Sequence, residues 1–136
     1  MSATKEAKHP AVHLPPNFRQ IRLELVREKG HPVGSAAHGY TIFAPLDKEG
    51  KIDPALWRSF RDFCRVVRFR PDEDEAVGHL IHRPGGSWAF HYDIRGHEDD
   101  EPGFHFENER FEVGEYVSIR EHDKTHTFCV ASVERI

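Results

Sequence analysis

The residues of this chain best suited to chemistry are its eleven histidines, a large share of 136 positions, and no run of them sits at either terminus. Imidazole titrates near pH 6.5, ligates metals through a neutral ring nitrogen and moves protons in catalysis. Protonating all eleven would carry the formal charge from −4 to +7, so the composition describes a pH-responsive surface. No complete motif of any enzyme class accompanies them. Spacing must therefore say which histidines act together, and the first constellation is His79, His82 and His91 with Asp93. Zinc needs about three or four converging nitrogen, sulfur or oxygen ligands. The His-x-x-His spacing alone does not supply that, because residues three apart on a strand point to opposite faces.

Strand pairing decides which of them meet. Centring a hairpin on Gly85-Gly86 pairs Arg83 with Trp88, His82 with Ala89, Ile81 with Phe90, Leu80 with His91 and His79 with Tyr92. One aromatic-rich face then carries His79, Trp88 and Tyr92, a candidate ligand-binding surface. The other carries His82 and His91 as diagonal neighbours and a candidate chelating pair. A second hairpin centred between Asp123 and Lys124 pairs Glu121 with His126, Ile119 with Phe128 and Val117 with Val130. Its core face holds Val117, Ile119, Phe128 and Val130, closed at the loop end by an acid–imidazole pair, Glu121 and His126. Tyr116, Ser118, Cys129 and Ala131 take the other face. Such a pair contributes stability at low pH that fades as pH rises, whereas histidines buried neutral would lower stability between about pH 7 and 5.

Three further groups invite plainer readings. Asp72 to Glu75 and Glu98 to Glu101 form acidic clusters at one end of a meander, where solvated loops blunting a sheet edge explain them better than a calcium site. Arg58, Arg61, Arg65, Arg68 and Arg70 read as solvated surface, with Arg68 or Arg70 facing the acidic loop. Cys64 reads as a small buried hydrophobe, and Cys129 has no histidine on its face to activate it.

The elements that must position these residues follow from patterning. Residues 1–16 lack periodicity and end in Pro15-Pro16, giving a disordered or draped arm, and 17–136 form a single domain. Ile21, Leu23 and Leu25 alternate with Arg22 and Glu24 as a strand, and His38–Ala44 forms another. Asp53 and Pro54 read as N-cap and N1 of a helix whose apolar face is Leu56, Phe60, Phe63 and Val67. CRVVRFR, VGHLIHR, SWAFHYD, EYVSIRE and HTFCVAS follow as strand segments, with a short GFHFE segment ahead of the final hairpin. The expected fold is mainly β: an antiparallel meander of about seven strands forming a small barrel or strongly coiled sheet, with one helix between strands 2 and 3.

Composition limits the function classes. A slight acid excess, 23 against 19 Lys plus Arg, argues against a nucleic-acid partner, and no apolar stretch suits a membrane span. Two cysteines without a secretory signal point to a reduced, cytoplasmic setting. The blocks GHLIHRPGGSWAFHYD and FEVGEYVSIREHDKTHTFCVASV resemble those of a family of small uncharacterised bacterial (proteobacterial) proteins, a resemblance that implies no activity, cofactor or site. The leading expectation is a non-catalytic module that binds a small molecule or a protein partner, without a cofactor. The alternatives are a metal-dependent enzyme or metal-binding protein using His82 and His91 on a divalent metal, and a structural module, a homodimer included, with an exposed apolar face around Tyr116 or Trp88.

Overall fold

The computed structural model describes residues 13–27, 34–93, 100–122 and 124–136. Eight strands run β1 (Phe18–Leu25), β2 (Ser35–Pro45), β3 (Arg65–Phe69), β4 (Ala76–His82), β5 (Trp88–Tyr92), β6 (Glu101–Phe104), β7 (Tyr116–Glu121) and β8 (Lys124–Arg135). Each pairs antiparallel with its neighbours in sequence, and β8 returns to β1 to close the barrel. The expected barrel class holds, with eight strands where about seven were counted. The difference lies around GFHFE: β6 begins at Glu101, and His105, at φ 55°, turns the chain into a 3-10 turn over Phe106–Asn108.

Alternation builds the core. Ile21 and Leu23, Tyr40 and Ile42, Val66, Leu80, Phe90, Ile119, Phe128 and Val130 point inward and are essentially inaccessible to solvent. Where strands crowd, glycine is required: a Cβ on Gly39 would lie 1.9 Å from the Leu23 carbonyl oxygen, and one on Gly78 2.2 Å from that of His91.

One end of the barrel is plugged. The helix α1 (Pro54–Phe60) between β2 and β3 starts as expected, with the Asp53 carboxylate accepting hydrogen bonds from the Ala55 and Leu56 amides and Pro54 in the first turn. Its buried residue is Trp57, whose indole N–H donates to the Leu80 carbonyl at 2.9 Å. The expected Leu56, Phe60, Phe63 and Val67 stripe does not form, because the helix ends at Phe60. Phe63 then sits in a 3-10 turn, 41% exposed, and Val67 belongs to β3. Trp57, Trp88, Phe106 and Phe111 fill this end as edge-to-face aromatics. Ahead of β1, Leu14 packs on the core and the Phe18 amide bonds the Pro15 carbonyl; the remainder of the expected arm, residues 1–12, lies outside the described residues.

The opposite end is the mouth. The β1–β2, β3–β4, β5–β6 and β7–β8 connections all leave the barrel there, as the strand directions require. Asp72–Glu75 therefore belong to the same end as Asp100 and Glu101, while Glu98 and Asp99 lie outside the described residues. Among the described residues no helix is long and apolar enough to cross a membrane.

Candidate functional site

On three strands the inward, apolar series ends in polar side chains at the mouth. β2 reads Ala44, Ile42, Tyr40, His38; β3 and its extension read Val66, Arg68, Arg70; β7 reads Val117, Ile119, Glu121. β5 adds Tyr92, β6 Glu101 and β8 His126. Glu101 and Glu121 are both buried, each only 5% exposed, so each carboxylate needs partners inside the barrel.

The partners are present. Arg68 donates to Glu101 at 2.8 Å and lies over the Tyr92 ring at 4.8 Å; Tyr92 donates to the other Glu101 oxygen at 2.6 Å. Arg70 donates to Glu121 at 2.7 Å and passes 4.0 Å from Glu101. The Tyr40 hydroxyl links the two halves, 3.0 Å from Glu101 and in a short contact with Glu121. A phenol has one proton to give, so Tyr40 donates to one carboxylate at a time. The imidazole Nε2 atoms of His38 and His126 each stand 3.7 Å from the same Glu121 oxygen, with ring centroids 6.1 Å apart.

This geometry fixes protonation states. Burial alone would push the Glu121 carboxyl up, but the His38 imidazole, the Tyr40 hydroxyl and the Arg70 guanidinium reverse that and hold it down at about 2. Burial, reinforced by Tyr92 and the two carboxylates, keeps Tyr40 protonated far above the usual phenol range; burial and Glu101 do the same for Tyr92. Burial opposes the charge on Arg68, but Glu101 outweighs it and keeps the guanidinium charged. The cluster thus offers a fixed anion, phenols that remain donors and cations that remain charged.

Outside Glu121 the mouth opens into a hollow of ≈ 410 Å³ lined by His38, Arg70, Pro71, Glu73, Glu121, His122, Lys124 and His126. That lies toward the lower end of the ~300–1,000 Å³ usual for small-molecule sites.

Comparison with protein-family models, curated proteins and solved structures returned no match. The site must be read from its own geometry.

The histidines singled out from spacing are placed differently. The first hairpin pairs His79 with His91, Leu80 with Phe90 and His82 with Trp88, one residue away from the expected register. The cause is a three-residue turn: Pro84 at its first central position and Gly85 at φ 96° let the Gly86 amide reach the Arg83 carbonyl, and Gly86, at φ 99°, adds the extra residue. A one-residue slip reverses faces, so His82 and His91 do not form the expected chelating pair. His82 turns inward, stacked on Trp88 at 4.0 Å between ring centroids, with Nε2 3.1 Å from the Gly86 carbonyl. His91 is exposed beside Asp100 at 2.8 Å, also approached by Arg83.

Nor does His79 share a face with Trp88 and Tyr92, which are buried inside. His79 faces out, its Nε2 accepting from Arg65 at 2.7 Å and its Nδ1 3.2 Å from Asp93. A hollow of ≈ 400 Å³ beside β4 does touch His79, His82 and His91 together with Trp57, Arg61 and Asp62. Each imidazole there is already engaged as described. Among the described residues no group of three or more His, Cys, Asp or Glu is arranged to hold a metal ion. Trp88, at 1% exposure, contributes nothing to an outer apolar face, while Tyr116 is exposed at 62%.

The second hairpin fares differently. Ile119 pairs with His126, Val117 with Phe128 and Glu121 with Lys124, two residues from the expected register. A two-residue slip preserves faces, so Glu121 and His126 remain on the core face and within reach. Cys129 stays on the outer face, opposite Tyr116 instead of Ser118. Arg68 and Arg70, expected on the surface, and Glu101, expected in a solvated loop, point inward instead. The signal for them was the parity of CRVVRFR: Arg68 and Arg70 share the face of Val66.

Proposed function

We propose that this barrel binds a small molecule at its polar mouth. The observation behind this reading is the convergence of Arg70, His38, His126 and Tyr40, from two different strands and one strand extension, on one buried carboxylate at the wall of a solvent-open hollow. Stability alone gives little reason for such an arrangement. Buried ion pairs replaced by apolar residues of similar volume often leave a protein as stable or more so. Groups with displaced proton affinities gather at functional sites. The apolar side chains that fill the barrel below Tyr40 confine the ligand to the mouth.

The same geometry supports acid–base catalysis as a second reading, since two imidazoles beside a carboxylate held ionised are the usual means of moving a proton. Glu121 itself, held at about 2, orients and balances charge; the proton-transfer candidates are His38 and His126. The unpaired thiols Cys64 and Cys129 suit a reducing cytoplasmic setting.

A thermal-shift screen of the full chain against anionic, neutral and cationic small molecules, and against zinc, nickel and manganese, tests the reading. A binder at 100 times its Kd stabilises by about 2.7 kcal/mol. A stabilising organic compound whose effect is lost in Lys124→Glu supports the mouth. Stabilisation by a metal alone, or by compounds whose effect Lys124→Glu leaves intact, refutes it.

A further inference from the structure

The lining of the mouth has a chemical bias. Five of its side chains are cationic or imidazole, His38, Arg70, His122, Lys124 and His126, against the carboxylates of Glu73 and Glu121. Glu121 is already matched by Arg70 and Tyr40, and Glu73 lies at the rim, 3.9 Å from Arg70 with its side chain 55% exposed. Neither carboxylate offers the hollow a well-placed acceptor. Donors, by contrast, are in surplus. Arg70 Nε is buried with no hydrogen-bond partner among the described residues, a donor that is costly to leave unmet. Lys124 opens β8 directly opposite Glu121 in register, and it makes no ion pair among the described residues. The groups facing the hollow come from β2 (His38), the end of β3 and its following turn (Arg70, Glu73), the end of β7 (Glu121, His122) and the start of β8 (Lys124, His126).

A site with excess donors, a fixed guanidinium and a carboxylate already neutralised is complementary to a ligand rich in anionic acceptors. We propose that the mouth takes a small oxyanion, a carboxylate or a phosphate, with Arg70 and Lys124 supplying charge and the His38 and His126 imidazoles lining its seat. This rests on the mouth being the ligand site and adds the ligand's class. Arg70 suits the role because a guanidinium presents several donors in one plane, matched to two oxygens of either group. Bringing an anion beside Glu121 is tolerable because that carboxylate is balanced within the barrel.

The test is a titration of the ¹⁵N-labelled full chain with inorganic phosphate, succinate, succinamide and methylammonium, followed by amide and side-chain NMR shifts. The expected result is saturable movement of mouth resonances with phosphate or succinate, and none with succinamide or methylammonium. Saturation by phosphate alone assigns a phosphoryl ligand, and by succinate alone a carboxylate. Lys124→Glu, at an exposed position, weakens that binding on the order of tenfold, about 1.4 kcal/mol. Arg70→Lys weakens it as well, retaining charge but losing the planar fork. Mouth shifts with succinamide or methylammonium and none with the anions overturn the oxyanion assignment while leaving a ligand site in place. Anion shifts confined to other parts of the surface, or no shift at the mouth with any of the four, overturn both.

Discussion

Glu121→Gln probes the centre of the mouth. The folded protein lowers this carboxyl from its ordinary 4.5 to about 2. At about 1.36 kcal/mol for each tenfold change in proton affinity, that amounts to about 3 kcal/mol of stability at neutral pH. The side chain is 4% exposed, so solvent screening takes little away. A depressed carboxyl contributes its full stability above the unfolded value and loses it as pH falls through the folded one. The loss therefore falls between about pH 5 and pH 2. Glutamine has the same shape without the charge; it removes this pH-dependent contribution and leaves the half-buried Arg70 guanidinium beside a neutral amide, a change that costs about 3 kcal/mol at pH 7. Urea unfolding at pH 7, 5, 4, 3 and 2.5 should show the wild-type chain losing about 3 kcal/mol more than Glu121→Gln across the acid window, so that the two curves converge. Parallel curves, or a variant as stable as wild type at pH 7, would refute the inference that His38, Tyr40 and Arg70 converge to hold an ionised Glu121.

Other predictions concern the frame around the mouth. Gly78→Ala, which must push a Cβ against the His91 carbonyl, should destabilise the barrel by more than the about 1–3 kcal/mol typical of overpacking, read by denaturant midpoint. A change below 0.5 kcal/mol would show that β4 and β5 have room to separate. Asp53→Ala, deleting the cap that accepts from the Ala55 and Leu56 amides, should cost about 1 kcal/mol in the same assay, and no cost would mean that Trp57 packing alone fixes the plug. Burial lifts the Cys64 thiol to about 12, so a thiol reagent at pH 8 should label Cys129 in the native chain and reach Cys64 only on unfolding. Two fast-reacting thiols would contradict the closed barrel wall.

Barrel class, helix position and most strand segments were legible in the sequence because period-2 alternation survives wherever one face is buried. Register was legible only where an error happened to be harmless. In the final hairpin the sequence-based pairing was off by two residues, and Glu121 and His126 stayed on the core face. In the first it was off by one, since the extra residue of the Pro84–Gly86 turn has no signature in apolar patterning, and the faces of His82 and His91 were exchanged. The mouth was largely hidden for another reason. Arg68, Arg70 and Glu101 carry side chains that ordinarily stay in water, so a polarity-based reading placed them on the surface. Their inward placement depends on one another across β3 and β6, which do not adjoin, a long-range match that no single segment reveals. The histidines, abundant in composition, serve mainly as neighbours of carboxylates: His38 and His126 at Glu121, His79 at Asp93, His91 at Asp100 and His105 at Glu107.

The mouth and the hollow beside β4 are both lined by histidines, so imidazole resonances distinguish them most directly. On addition of a stabilising ligand from the small-molecule screen, the ring signals of His38 and His126 should shift in a saturable way while those of His79, His82 and His91 stay in place. Movement of His79, His82 and His91 with His38 and His126 unchanged would place the ligand beside β4 and contradict the mouth as the functional site.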